Sequence, residues 1–355
     1  MTNYLNKTNL LFSMLLLLFS FNLEAQNKKS IFDKMSYTEV LDINITTDLV
    51  AIADKRNDKK NKATLSFTDA DGISHNWDIK VAVRGKFRRM RCTEIPPLKI
   101  HFDKDDLREA GLTKFDDLKL VNQCMSDAEV GKELLLKEYL AYELYNELTP
   151  ESFRVQFLNI TFTDVNTGES VVRSGFFIED TAQVRDRIGA NKPSQKTGFQ
   201  EEQFNSAQFQ TMALFQYWIG NSDWSAIFGR NIKVLEKDGQ LIAIPYDFDF
   251  SGMVDAPYAV PNTNFGLTSI KQRAYLGFKK NAEELETTIK QLTAMRSTLK
   301  KVVKGHELLG RSIRNKTWAY LNSYFNDPRE IAFGKKVEIQ PSIVGETAAT
   351  ISAEK

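Results

Sequence analysis

Apolar and polar residues recur along this chain with two different periods, and the change from one to the other predicts its elements. From 64 to 83, TLSFTD, an Asp71-Gly72 turn and WDIKVAV alternate in twos, which predicts a β-hairpin. IPPLKIHF at 95 to 102 and DLKLVN at 117 to 122 predict two further short strands. From 131 to 148, GKELLLKEYLAYELYNEL repeats apolar residues at threes and fours, as an amphipathic helix laid on a sheet does. VQFLNITFTD, an NTG turn at 166 to 168 and SVVRSGFFIED return the chain to strands.

The stretch from Arg187 to Gln203 is polar, with Gly189, Pro193 and Gly198, and reads as a link between two halves. Beyond it, FNSAQFQTMALFQYWIG sets Phe204, Met212, Phe215 and Ile219 on one helical stripe. NIKVLE and LIAIPYDFDF flank a KDGQ turn and predict a strand pair, and helical patterns follow at 281 to 303 and 306 to 325. The expectation is an α+β protein with a sheet-rich N-terminal part at 26–185 and a mainly helical part at 186–340. Residues 341–355 lack periodicity and read as a disordered tail.

Composition narrows the partners. With 47 basic against 46 acidic residues, the net charge of +1 gives no general attraction to nucleic acid or to an anionic membrane. Residues 1–25 are expected to be a signal peptide: Lys7 precedes an apolar run from Leu10 to Phe21, and Ala25 offers a small residue for cleavage. No cysteine directly follows that run and no later segment approaches membrane-spanning length, so no lipid or other membrane anchor is expected after cleavage, and the protein is expected to be exported, periplasmic or secreted. Spacing leaves open whether Cys92 and Cys124 pair or remain separate thiols. His75, His101 and His306 show no ligand spacing, which argues against zinc and against a Ser-His-Asp site.

Carboxylates and amides therefore carry the candidate chemistry. GNSDWSAIFGRN at 220 to 231 delivers Asp223 after a helix and Asn231 at the start of a strand, whose partner strand ends in PYDFDFSG with Asp247 and Asp249. Strand alternation would set those two acids on one side, about 6–7 Å apart. Asp, Asn and Asp oxygens suit a hard divalent cation shared with a phosphate, and leave one Asp to act as base toward a hydroxyl.

The order of these features resembles the spore-coat protein H (CotH) kinase family of exported atypical protein kinases. The likeness runs from about 80 to 255, through VRG at 83 to 85, PPLKIHF at 96 to 102, LKLVNQCMSDAEVGKELLLKEYLAYELYNEL at 118 to 148, SGFFIED at 174 to 180, GNSDWSAIFGRN and IPYDFDFSG. It implies a divergent two-lobed protein-kinase-like fold, with a mixed-sheet N-lobe and a mainly helical C-lobe. It also implies ATP and Mg2+ or Mn2+ as cofactors, and a protein substrate phosphorylated on Ser or Thr hydroxyls. By the same resemblance Asp223 is the catalytic base, and Asn231, Asp247 and Asp249 are metal ligands. Lys99 holds the nucleotide phosphates, Glu138 (or Glu133) pairs with that lysine, and Arg84 approaches the phosphates, with Arg88, Arg89 and Arg91 extending a basic patch. One departure stands out: Lys86, Phe87 and Arg88 follow Gly85 where the family has small polar residues. That bulk is what a catalytically inactive pseudokinase or a surface-assembly binding module would carry, and this reading stays open beside the enzyme. A glycosidase-type acid pair is a third reading, disfavoured because two acids on one strand lie side by side instead of flanking a sugar ring.

Overall fold

The computed structural model of the 355-residue chain describes residues 28–54, 59–85, 87–92, 95–125, 127–278 and 282–328. The expected signal peptide and C-terminal tail lie outside the described residues. The chain forms two compact units, one from residues up to 135 together with 154–184, the other from 136–153 together with 185 onward.

The first unit is a barrel. Its strands are β1 (Val40–Thr47), β2 (Asn61–Thr68), β3 (Ser74–Val83), β4 (Leu98–Phe102), β5 (Asp117–Asn122), β6 (Val155–Asp164) and β7 (Ser170–Ile178). They close in the order β1-β2-β3-β4-β5-β7-β6. Every neighbouring pair is antiparallel except β1 with β6, which run parallel from Val40↔Phe157 to Thr47↔Asp164. Period-two alternation turns Leu41, Ile43 and Ile45 of β1 inward with Leu65, Ile79, Leu98, Ile100, Leu118, Leu120, Ile160 and Phe177, all buried.

The Asp71-Gly72 hairpin forms as the sequence predicts, because Asp69 accepts from the Asp71 and Ile73 amides at 3.0 Å each and Gly72 takes φ 76°. The short helices α1 (Ile31–Met35), α2 (Leu49–Ala53), α3 (Phe87–Arg91) and α4 (Lys104–Glu109) decorate the strands. Ser30 and Asp33 form a capping box on α1, and Asp103 caps α4. The basic patch expected at Arg88, Arg89 and Arg91 is thus carried on a helix, α3. Cys92, just after α3, is disulfide-bonded to Cys124, which settles the alternative left open by the spacing.

This architecture corrects the fold expectation. The two-lobed kinase-like arrangement, with a mixed-sheet N-lobe and a mainly helical C-lobe, is overturned because the seven strands close on themselves into a mixed barrel. The cause is β1. Hydrogen-bonded to β2 on one side and β6 on the other, it leaves the sheet no free edge.

The second unit takes residues from Leu136 onward of the helix α5 (Ala128–Leu148) and the chain from Arg185, near the end of α6 (Thr181–Arg187). Helix α7 (Ser206–Trp218) is buried nearly all round, as a helix with few polar side chains at its surface must be. Its Phe215 ring packs 4.8 Å from Tyr145, and Trp218 donates its indole N–H to the Leu321 carbonyl at 3.0 Å. Strands β8 (Ile232–Lys237) and β9 (Gln240–Pro245) form a hairpin whose turn uses Asp238 and Gly239, both at positive φ. Helices α8 (Ala282–Ala294), α9 (Arg296–Gly305) and α10 (Arg311–Ser323) follow, so the pattern at 281 to 303 resolves into two helices. No helix among the described residues is long and apolar enough to cross a membrane.

Candidate functional site

The open end of the β8–β9 hairpin, opposite its turn, gathers the acidic residues. β9 stops at Pro245, earlier than the sequence predicts. The Tyr246 amide still donates to the Asn231 carbonyl at 3.1 Å, after which the chain turns and Asp247 takes φ 67°. Asn231 sits at φ 53°. Left-handed backbone at a residue with a side chain costs about 1 kcal/mol or more, and Asn and Asp tolerate it best. Both residues of this strained pair are ones the sequence marks as metal ligands.

The turn at Asp247 breaks strand alternation. Phe248 goes fully into the core, 4.7 Å from the Tyr142 ring and 5.7 Å from Phe215. Asp249 is buried as well and accepts from the Tyr258 hydroxyl at 3.1 Å. The acids are therefore set by a turn and not by a strand face. They converge all the same: carboxylate oxygens of Glu138, Asp247 and Asp249 lie within 4.8 Å of one another.

Glu138 is the member the sequence assigned otherwise. It is 1% exposed on α5, among Leu134, Leu135, Tyr142 and Tyr145. A helix places residues three, four and seven apart on one side, so Glu138, Tyr142 and Tyr145 share a face. Tyr142 is the residue that sequence reasoning missed: its hydroxyl oxygen accepts from the Asp247 amide at 2.9 Å and fixes the turn. The signal was there, a glutamate inside the apolar stripe of a helix with tyrosines at helical spacing.

Asp223 and Asn231 are joined to each other. The Asn231 side-chain amide donates to the Asp223 carbonyl at 2.7 Å and to its carboxylate at 3.0 Å, while Arg230 lies 3.5 Å from the other carboxylate oxygen. With its NH2 group so engaged, Asn231 has its side-chain Oδ1 left to offer a cation. Behind Asp223, buried Asn221 accepts from the Asp223 amide at 2.9 Å and donates to buried Gln216 of α7 at 3.0 Å.

The two loops that carry these residues are fastened together. Asn221 pairs with Ser251, and the Gly252 and Met253 amides donate to the Gly220 and Ile219 carbonyls at 3.0 Å. Tyr320 of α10 presses its hydroxyl on both glycines, under an Arg273 guanidinium 4.2 Å from its ring. A Cβ on Gly252 would meet that hydroxyl and come within 2.7 Å of the Ile270 carbonyl. Gly252→Ala is expected to destabilise the protein by about 2–3 kcal/mol through overpacking against backbone, read as a lower urea midpoint at unchanged slope.

Arg84 and Lys99, expected at nucleotide phosphates, belong to the barrel unit. Arg84 follows β3 with its amide bonded to the Pro97 carbonyl at 2.9 Å. Lys99 stands on β4, its Nζ 2.6 Å from Asp117, which also meets His101 at 2.5 Å. Burial pushes the Asp117 carboxyl up, but hydrogen bonds from His101 and Lys99 outweigh it and hold it down at about 2. Asp117 therefore contributes stability in full above its ordinary value of 3.8 and loses it as pH falls toward about 2. Asp117→Asn should flatten the thermal-midpoint profile in that window. A cleft of about 510 Å3 on the same unit, with Lys60, Lys62, Lys80, Asp78, Asp103 and Asp106 in its lining, includes none of the clustered acids and has no single sign of charge.

No family model matches the chain, and no curated protein is significantly similar to it.

Proposed function

We propose that this chain is an exported, divalent-cation-dependent phosphotransferase that moves the γ-phosphoryl group of ATP to Ser or Thr hydroxyls of a protein. The observation that carries the proposal is the convergence of Glu138, Asp247 and Asp249, with Asn231 tied to Asp223 one hydrogen bond from the same turn. Three carboxylates this close repel one another by roughly 3–4 kcal/mol per pair at an effective dielectric of 20, a cost that a doubly charged ion reverses. The donor set is all hard oxygen, which suits Mg2+ or Mn2+ and not a thiolate- or imidazole-seeking metal.

A bound divalent cation supplies charge neutralisation on the phosphoryl oxygens. Glu138, Asp247 and Asp249 would hold it, with the side-chain Oδ1 of Asn231 as a further ligand. Asp223 orients the acceptor hydroxyl and takes its proton as the new O–P bond forms and the bond to the departing ADP oxygen breaks. Asn231 and Arg230 hold the Asp223 carboxylate in place. The Cys92–Cys124 disulfide supports the exported reading, because such bonds persist in oxidising compartments.

The test is transfer of label from γ-labelled ATP to Ser or Thr of added protein with Mg2+ or Mn2+, and its loss with chelator. Absence of any ATP turnover with either metal overturns the proposal, and label transfer that survives the chelator removes the cation from it.

A further inference from the structure

The loop joining Asp223 to Asn231 carries an apolar tip. Ser225 and Arg230 pair across it through two backbone hydrogen bonds of 3.0 Å. Between them Ala226, Ile227, Phe228 and Gly229 make the turn, with the Gly229 amide bonded to the Ala226 carbonyl at 3.3 Å and Gly229 at φ 62°. A second strap comes from the side, where the Gly198 amide donates to the Ile227 carbonyl at 2.8 Å. The tip is held at its base and its flank, yet Ile227 is 42% and Phe228 71% exposed.

Turn chemistry does not account for those side chains, since tight turns favour Gly, Pro, Asn, Asp and Ser. Core packing does not either: Phe228 is the one large exposed phenylalanine among the described residues. What sets the tip apart is its place in the chain. Asp223 and Asn231 bracket it, so a hydroxyl presented to Asp223 brings its flanking residues past a fixed apolar projection. The five Cα-to-Cα steps from Asp223 to Phe228 span at most about 17 Å. An extended acceptor advances about 3.3 Å per residue, which puts the encounter within about five residues of the acceptor hydroxyl.

Resting on the phosphotransfer reading, we propose that Ile227 and Phe228 dock a bulky apolar side chain of the acceptor protein, close in sequence to the Ser or Thr that receives the phosphoryl group. An extended segment with one apolar anchor beside its reacting hydroxyl is a recognition mode in which a single apolar contact sets specificity and the rest of the contact is tolerant.

A peptide library with a central Ser or Thr, in which one flanking position at a time is fixed as each amino acid, tests the proposal with Mg2+ and labelled ATP. The wild-type protein should favour Leu, Ile or Phe about tenfold over Asp or Lys at one position. Phe228→Lys should move that preference to Asp or Glu at the same position. The same preferences in both proteins would overturn the inference, as would turnover of ATP without preference for an apolar residue anywhere. Unchanged preference with loss of binding to phosphatidylcholine vesicles in Phe228→Lys would make the tip a membrane contact and also overturn it. Wild-type protein that turns over no ATP would instead bring down the underlying phosphotransfer reading, a result distinct from the others.

Discussion

Asp247→Asn is expected to lower Mg2+-dependent phosphoryl transfer by about 10²–10³-fold, the scale of losing one group that stabilises developing charge. Asparagine keeps the left-handed backbone of Asp247 (φ 67°) accessible and preserves the amide that donates to Tyr142, so the turn should survive. Charge is what changes. Without a cation, removing one of three carboxylates within 4.8 Å relieves repulsion, and the melting temperature of the metal-free variant should hold or rise. An acid serving only to hold the fold would lose stability along with activity. The two readouts moving in opposite directions is therefore the expected signature, measured by initial rates and by thermal unfolding in chelator.

Ile45→Ala is expected to cost about 3–4 kcal/mol of stability, and the exposed neighbour Asn44→Ala less than about 0.5 kcal/mol. Ile45 is fully buried on β1 and stands directly opposite Leu65 on β2 and Phe162 on β6. It is packed from both sides only because the barrel is closed. An edge strand would tolerate the truncation better, so a loss near 1 kcal/mol in chemical unfolding would contradict the closure.

Local signals in the sequence were readable and distant ones were not. The Asp71-Gly72 and Asp238-Gly239 turns, the strand DLKLVN and the helix containing GKELLLKEYLAYELYNEL follow from residues a few positions apart. Leu41, Ile43 and Ile45 alternate with Asp42 and Asn44 as a strand should, but nothing near them says that β1 pairs in parallel with β6, more than a hundred residues away. Closure, and with it the departure from a kinase-like fold, comes from that single non-local pairing.

At the site the acids Asp223, Asp247 and Asp249 and the amide Asn231 could be named from residue type and order, whereas their geometry could not. PYDFDF alternates like a strand, and only the left-handed turn at Asp247 shows that Phe248 enters the core while the acids on either side of it still meet. Glu138 was legible as a buried helix carboxylate, but its company was not. It takes the fold of the second unit to bring it to Asp247 and Asp249.

Direct titration of metal-free protein with Mn2+, followed by calorimetry or by the electron spin resonance signal of free Mn2+, bears on the cluster without needing ATP or an acceptor. Saturable binding in the wild-type protein, weakened at least about tenfold in Asp247→Asn and in Asp249→Asn, is the expected result. Equal Mn2+ binding in all three proteins, or none in the wild type, would contradict the assignment of Glu138, Asp247 and Asp249 as a cation site.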